Sequence, residues 1–345
     1  MIACLVASAL LTAQSVDDGP QFTTMGPGIY KVDRKSASLH YFNGIAWEGE
    51  MGKGPIQCVF NGGFFVWTST PSSTSTVIAH YNRPTGTNWE QVPTRYADAG
   101  SFTPLLYGAP ANSSKLFGIV GSGASARLCF FETKRRHLII SSPAFEVKRG
   151  WRSLLMIEEA TGIINTPEGL KDVNLQGDNS GFTAAIGNTL PEIGDGIATD
   201  AQGNALIGAP MSNTFFFVGK NDQLGQFVRN ANRKWEYRTQ GLPPSGWAVL
   251  AKSRPVTVKE GIVAVQVQHK EKKLEGLILR TLSSGEGTWS KVLELPSGVK
   301  FDPKVDLQKS GVGTGYDAVY GLGDDGKFYR FLKTLGEPWK VEGGF

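Results

Sequence analysis

Short apolar runs separated by polar turns follow one another along the chain. The last of them reads VYGLGDDGKFYRF over Val319–Phe331, where two strand-like runs flank a turn of Asp and Gly residues. A tight turn between antiparallel strands favours these residues, because Gly adopts positive φ and Asp bonds to its own backbone. The pattern predicts a β-hairpin with Val319 and Gly321 on one face and Tyr320 and Leu322 on the other. Its tyrosines then face neighbouring sheets or each other.

The same layout recurs along the chain. Each copy has two strand-like runs, a loop, and a further strand that begins near a tryptophan; in most copies one more short run comes first. The tryptophans of this series are Trp47, Trp89, Trp235, Trp289 and Trp339. Successive members lie 42, 146, 54 and 50 residues apart, so the long gap spans about three repeats. Phe145 substitutes for one missing tryptophan, and the copy over residues 149–190 is degenerate.

Repeats of this length with four short strands each are typical of an all-β fold, the β-propeller. A lone four-stranded sheet cannot bury both faces, but radial stacking lets each sheet cover its neighbours. We therefore expect one propeller domain over residues 20–345, with seven four-stranded blades. The approximate blades are residues 20–50, 54–96, 98–147, 149–190, 193–241, 245–296 and 300–345. Six blades is the alternative, if residues 151–190 form an insertion instead.

The recurring aromatic residues are predicted to be structural. An aromatic side chain in the outer strand of each blade would pack between adjacent sheets and supply a large apolar contact. The predicted anchors are Trp47, Trp89, Phe145, Trp235, Trp289 and Trp339.

The last copy carries a family resemblance. Its sequence V-Y-G-L-G-D-D-G-K-F-Y-R, followed by P-W-K-V-E-G, resembles a tectonin-type repeat. The specific likeness covers about thirty residues at the C-terminus, and the general layout covers residues 20–345. Tectonins and the related tachylectins are propeller lectins of innate defence and cell recognition. The resemblance implies a sugar-binding propeller.

Composition agrees with a chain of many short strands. Among 345 residues, 43 are Gly and only 19% are charged, which favours turns and strands over long amphipathic helices. The net charge of +4 is too small to demand a nucleic-acid partner.

The first fifteen residues read as a targeting segment. An apolar run ends in Ala13-Gln14-Ser15, a small-x-small site, although no Lys or Arg precedes it. We expect a signal peptide over residues 1–15 and hence secretion, with a buried first strand as the alternative. No other apolar run is long enough for a membrane helix. The sequon at Asn112 would be used only in a secreted protein.

Catalytic and metal-binding motifs are not evident in the sequence. Cys58 and Cys129 lie in apolar runs and are predicted to be core residues, so we expect no disulfide framework and no zinc site. The histidines are scattered in sequence, and no nucleophile elbow, P-loop or HExxH motif is present. Oxygen-rich loops lack the calcium-loop spacing. The pairs Asp324-Asp325 and Glu158-Glu159 are interpreted as solvated turn and strand-end residues.

These observations favour a binding module without cofactor or metal over an enzyme. Sugar sites combine an aromatic platform with a few fixed polar groups. Candidate platforms are the tryptophans outside the anchor series, and candidate polar contacts are the arginine of the F-Y-R element and its counterparts in other copies. These residues are Trp67, Trp151, Trp247, Arg229, Arg280 and Arg330. The alternatives are a protein-interaction propeller without sugar affinity and, less favoured, a propeller glycoside hydrolase.

Overall fold

The computed structural model describes residues 151–345 apart from residues 159, 179–180, 283–286 and 310–315; between residues 22 and 146 it describes the strands and a few residues beside them. This part of the chain is all β, with one 3-10 turn at Trp151–Ser153 and no α-helix. Its strands pair in seven antiparallel sheets, which we number 1 to 7 in chain order.

Sheets 1 to 3 contain the strands that precede residue 150. Sheet 1 comprises β1 Phe22–Met25, β2 Gly28–Asp33, β3 Ser38–Phe42 and β4 Trp47–Lys53. Sheet 2 comprises β5 Ile56–Phe60, β6 Phe65–Ser69, β7 Thr76–Asn82 and β8 Glu90–Tyr96. Sheet 3 comprises β9 Thr103–Pro104, β10 Lys115–Val120, β11 Arg127–Glu132 and β12 His137–Ile140.

Sheets 4 to 7 contain the strands after residue 150. Sheet 4 comprises β13 Leu154–Glu158, β14 Thr161–Thr166, β15 Gly169–Asp178 and β16 Gly181–Thr189. Sheet 5 comprises β17 Ile207–Met211, β18 Thr214–Val218, β19 Leu224–Arg229 and β20 Trp235–Thr239. Sheet 6 comprises β21 Trp247–Val249, β22 Val256–Lys259, β23 Ile262–His269, β24 Glu275–Thr281, β25 Thr288–Trp289 and β26 Leu293–Glu294. Sheet 7 comprises β27 Gln308–Lys309, β28 Tyr316–Leu322, β29 Phe328–Thr334 and β30 Lys340–Gly343.

The degenerate copy forms a sheet like its neighbours. Strands β13 to β16 pair in sequence order as a four-stranded antiparallel sheet, the arrangement also found in sheets 5 and 7. Sheet 6 has two additional short strands. Both β21 and β22 pair with β23, and both β25 and β26 pair with β24.

The central strands are buried on both faces. In β18, Phe215 and Phe217 belong to an apolar cluster with sheet 4, whereas Phe216 and Val218 belong to a cluster with sheet 6. Because successive side chains of a strand point to opposite faces, the continuous apolar run TFFFV provides one apolar surface for each neighbour. Sheet 5 therefore lies between sheets 4 and 6, and the core lies between the sheets.

The hairpin of sheet 7 follows the predicted alternation. Val319 packs in a cluster with sheet 6, and Tyr320 and Leu322 pack in a cluster with sheet 1. Tyr329 lies on the sheet 6 side. Of the two arrangements expected for the tyrosines, the structure has the first, since Tyr320 and Tyr329 face different neighbouring sheets.

The first and last described sheets are in contact. The ring of Phe22 in sheet 1 lies 4.8 Å from that of Phe328 in sheet 7, and the ring of Phe42 lies 5.0 Å from that of Phe345. The first strands of several sheets, with β22 in sheet 6, also contact one another, namely β1 with β5, β13 with β17, β17 with β22, β22 with β27, and β27 with β1. The two ends of the described chain are thus packed together.

A buried charged cluster joins sheets 4 to 7 near their first strands. The guanidinium of Arg152 donates two hydrogen bonds to the carboxylate of Asp306, at 3.1 and 2.8 Å. Asp306 also accepts a hydrogen bond from the backbone N–H of Arg254 at 3.1 Å, and Arg152 lies 3.8 Å from Asp200. Arg254, which is fully buried, donates through its side chain to the backbone carbonyl of Arg152. We call these four residues the charged hub.

Burial of the predicted anchors varies. Trp235 is buried in the cluster between sheets 4 and 5, and Trp289 and Trp339 are half-buried against the clusters beside sheet 6. Trp47 leaves 36% of its surface exposed, although its ring lies 5.4 Å from that of Phe42. Trp89, Phe145 and Asn112 lie outside the described residues. Cys58 and Cys129 lie in strands β5 and β11, as their apolar surroundings predict, and nothing further is described of their side chains.

Candidate functional site

Two of the three predicted arginines stack on the tryptophan beside them. Arg229 of β19 lies directly opposite Trp235 of β20, with its guanidinium carbon 5.8 Å from the ring centroid. Arg280 of β24 lies opposite Trp289 of β25 at 5.1 Å. A guanidinium over an indole face is a favourable cation–π contact. Cross-strand register therefore produces the same pair twice, and in each pair the arginine covers one face of the ring.

The third arginine has a different set of partners. Arg330 of β29 lies opposite Glu342 of β30 and forms an ion pair with it, while its guanidinium lies 5.5 Å from the ring centroid of Phe345. Burial works against the charged form of Glu342, but hydrogen bonds from Arg330 and Lys340 outweigh it and hold the pKa of that carboxyl below its usual value. Arg330 also differs in register, since it lies opposite Glu342, three residues after Trp339, whereas Arg229 and Arg280 lie opposite a tryptophan.

Arg229 also connects sheets 4 and 5. Its Nε donates a hydrogen bond of 3.3 Å to the backbone carbonyl of Arg233, and its terminal nitrogen lies 3.9 Å from the carboxylate of Asp172 in β15. These contacts fix the guanidinium at the boundary between the two sheets.

A polar cavity of about 520 Å³ lies at this boundary. Sheet 4 contributes residues from the end of β13, the start of β14 and the middle of β15, and sheet 5 contributes the β17–β18 and β19–β20 turns. The lining residues are Glu158, Thr161, Asn174, Asn213, Arg229, Asn230, Ala231 and Arg233. Except for Ala231, every one of them has a polar or charged side chain.

The cavity combines complementary hydrogen-bonding groups. Asn174, Asn213 and Thr161 can each donate and accept, Glu158 can accept, and the guanidiniums of Arg229 and Arg233 can only donate. Glu158 and Arg233 are exposed to solvent, while Arg229 and Asn174 are half-buried. A ligand rich in hydroxyl groups, which both donate and accept, matches this set.

A second cavity of about 230 Å³ lies elsewhere between sheets 4 and 5. It is lined by the β14–β15 turn and by the segment between β16 and β17, with apolar side chains such as Leu170, Leu190 and Phe227. These three residues also belong to the apolar cluster between the sheets, so this cavity adjoins the core.

The predicted site residues do not converge on one place. Arg229 lines the polar cavity, and Arg280 and Arg330 are not among its lining residues. Trp247 is half-buried, and its ring lies 5.2 Å from that of His269. Trp67 lies in β6 and Trp151 in the 3-10 turn, and nothing is described of their side chains.

Sequence reasoning missed most of the cavity. The sequence pattern places Glu158 at a solvated strand end and does not single out Asn174, Asn213 or Arg233. Short polar turns occur throughout the chain, and only the pairing of sheet 4 with sheet 5 shows which of them meet. One signal was present, because the turn Asn230-Ala231-Asn232-Arg233 lacks the Gly found in a turn of the same hydrogen-bonding geometry, that between β28 and β29 of sheet 7.

Two features are absent from the described residues. In that part of the chain, no group of three or more His, Cys, Asp or Glu side chains is arranged to hold a metal ion. A search of the same residues finds no helix with the length and apolar character needed to cross a membrane.

Comparisons with known proteins identify the fold. No family model matches the chain, and no curated protein matches it. Among solved structures, the BP39L lectin from Burkholderia pseudomallei is 16% identical, with a TM-score of 0.55 over 93% of this chain and 96% of the lectin. A post-proline cleaving enzyme from Rickettsia typhi is 8% identical with a TM-score of 0.51, and a puromycin hydrolase is 12% identical with a TM-score of 0.51.

The extent of these matches differs. The match with the post-proline cleaving enzyme covers 91% of this chain but 51% of the enzyme. The match with the puromycin hydrolase covers 93% of this chain but 54% of the enzyme. The chain therefore spans about half the length of each enzyme. It spans nearly the whole lectin. At such low identity the likeness bears on the fold alone: the described part of the chain is all β, most of its antiparallel sheets have four strands, and its structural neighbours include β-propellers.

Proposed function

We propose that the chain is a carbohydrate-binding β-propeller module of the tectonin type, secreted through its N-terminal segment. In this proposal the seven sheets are blades of one closed ring, and the contact between sheets 1 and 7 supports closure. Sugars bind in clefts between neighbouring blades.

The polar cavity between sheets 4 and 5 is the observation that carries the proposal. Its three amides, its hydroxyl, its carboxylate and its guanidiniums offer donors and acceptors at close range, as the alternating donors and acceptors of a saccharide require. The aromatic platform expected of a sugar site is not among the lining residues. Trp235 lies beneath Arg229 and is buried. Binding in this cavity therefore depends on hydrogen bonds more than on stacking.

The neighbours include both binding proteins and enzymes. The lectin matches over nearly its whole length, which supports the binding function. The two hydrolytic enzymes show that propellers also occur within larger enzymes. Glycoside hydrolysis ordinarily needs a pair of carboxylates, and Glu158 is the single carboxylate among the residues that line the polar cavity. We therefore favour binding over catalysis.

One observation favours a second candidate, a protein-interaction propeller without sugar affinity. The arginine contacts differ between sheets, because Arg229 and Arg280 lie over Trp235 and Trp289, whereas Arg330 lies over Phe345 and forms an ion pair with Glu342. A lectin with equal pockets would keep such positions alike, whereas a surface that binds one protein would not.

A glycan array tests the proposal. We expect the chain to bind a subset of glycans, with competition by free sugar. Asn174→Ala, which removes a half-buried amide from the cavity, should weaken this binding about tenfold, the loss expected for one or two hydrogen bonds. Asn221→Ala is the matched control, because its amide bonds to Asp195 and does not line the cavity. A blank array would contradict the proposal, and turnover of a fluorogenic glycoside would replace it with an enzyme.

A further inference from the structure

We propose that the polar cavity between sheets 4 and 5 selects saccharides that carry an anionic group, and that Arg233 is the residue that recognises this group. The inference rests on the proposed sugar-binding function and specifies the class of sugar. It comes from the backbone of the β19–β20 turn and from the charges of the lining residues.

The β19–β20 turn adopts a geometry that glycine favours. Residues 230–234 and residues 323–327 are closed by the same two backbone hydrogen bonds, each 2.9 Å long. In the turn of sheet 7 the fourth residue is Gly326, with φ of 78°. In the turn of sheet 5 the fourth residue is Arg233, with φ of 59°. An L-residue with a side chain is disfavoured in this conformation, so the local backbone does not explain why arginine stands there.

The side chain of Arg233 provides the reason. Strained backbone positions cluster at binding sites, and this one places a guanidinium among the residues that line the cavity. Guanidinium groups bind carboxylates and sulfates through paired hydrogen bonds. A contact with an anionic ligand would offset the cost of this conformation.

The charge of Arg233 remains available to a ligand. Within the described part of the chain, Arg229 has the carboxylate of Asp172 at 3.9 Å, while no carboxylate lies within ion-pair distance of Arg233. Glu158 is the one carboxylate among the lining residues, against two guanidiniums. Because Asp172 pairs with Arg229, Arg233 is the cation of the lining that has no carboxylate at ion-pair distance among the described residues.

The uncharged part of the lining suits the remainder of such a ligand. Asn230 is already engaged, since its side chain donates to Glu236 at 2.7 Å and accepts from the backbone of Lys234 at 3.0 Å. Asn174, Asn213 and Thr161 can then contact hydroxyl groups. A saccharide with one carboxylate or sulfate and several free hydroxyls fits both parts of the cavity.

An array of oligosaccharides in matched pairs tests this inference. Uronic-acid oligosaccharides are printed beside their methyl esters, and sulfated oligosaccharides beside their desulfated forms. We expect the acidic members to bind at least about tenfold more tightly than their neutral partners, and the difference to shrink as salt is raised. The two kinds of pair also show whether carboxylate or sulfate is preferred.

Three variants assign the preference to Arg233. Arg233→Gln should remove the difference within each pair, because it weakens the binding of the acidic members far more than that of the neutral members. Arg233→Gly should also remove the difference within each pair. Because glycine favours the positive φ of this turn, the Gly variant gives a clear result even if the Gln variant folds poorly. Arg238→Gln is the matched control, because it removes one exposed guanidinium from β20 that does not line the cavity.

The outcomes distinguish this inference from the proposed function. Equal binding of acidic and neutral members, weakened alike by Asn174→Ala, would overturn the anionic preference and leave the sugar-binding proposal standing. Equal loss in the Arg233→Gln and Arg238→Gln variants would also overturn it, since general surface charge would then explain the effect. Failure of every oligosaccharide to bind would reject the proposed function and this inference together.

Discussion

Individual aromatic residues of this chain stabilise the contacts between sheets. Trp235 exposes only 8% of its surface; its ring lies 5.2 Å from that of Phe215, and the guanidinium of Arg229 covers one face. Tyr237 lies two residues further along β20 and exposes 41% of its surface. The same strand thus carries one buried and one exposed aromatic side chain.

We expect Trp235→Ala to lower the free energy of unfolding by about 3–5 kcal/mol, because it removes a large buried ring from the cluster between sheets 4 and 5. Tyr237→Ala, the control in the same strand, should cost clearly less. Urea denaturation followed by tryptophan fluorescence or circular dichroism measures both losses. Unchanged stability together with lost ligand binding would instead identify Trp235 as a binding platform.

At the scale of the element, the β28–β29 hairpin depends on one backbone angle. Gly326 has φ of 78°, and Asp325 accepts hydrogen bonds from the backbone of Lys327 at 3.1 Å and from the hydroxyl of Tyr329 at 2.7 Å. Burial, with this hydrogen bond as a smaller cause, raises the pKa of Tyr329 to about 12. Asp325 therefore helps to form the turn and also anchors it to the strand.

Replacement of Gly326 by valine should destabilise the protein by at least about 1–2 kcal/mol, the cost of a left-handed conformation in a residue with a Cβ. No atom lies within 4 Å of the position that a Cβ at Gly326 would occupy, so steric contact contributes nothing. Gly194→Val is a matched control, since that position is equally open and has no positive φ. Similar melting temperatures for the two variants would show that the backbone angle is unimportant.

The sequence predicts elements of this kind well. The hairpin follows from alternating apolar residues around an Asp-Gly turn, and four strands of sheet 4 follow from apolar runs even where the tryptophan is missing. The polar cavity is different, because Glu158 and Arg233 are 75 residues apart and meet only through the pairing of two sheets. The local sequence pattern around each residue does not show that these two distant segments lie side by side.

Across the whole molecule, the charged hub connects four sheets through long-range contacts. Its members Arg152, Asp200, Arg254 and Asp306 follow one another at intervals of 48, 54 and 52 residues, about one repeat each. Their charges alternate in sign along the series. This periodic signal is present in the sequence, but its meaning depends on the first strands of the sheets lying side by side.

Loss of one carboxylate from the charged hub should therefore affect the whole molecule. Asp306 is fully buried and bonds to the side chain of Arg152 and the backbone of Arg254. Asp306→Asn leaves the charge of Arg152 partly uncompensated in a buried position, and removal of one partner from such a pair costs about 3–5 kcal/mol. Asp317→Asn provides the control, because Asp317 also joins sheets 6 and 7, through Lys259 at 2.9 Å, but at the surface, where a pair is worth about 0–1 kcal/mol. Urea denaturation of the two variants measures the difference, and equal losses would mean that the hub contributes no more to stability than a surface ion pair.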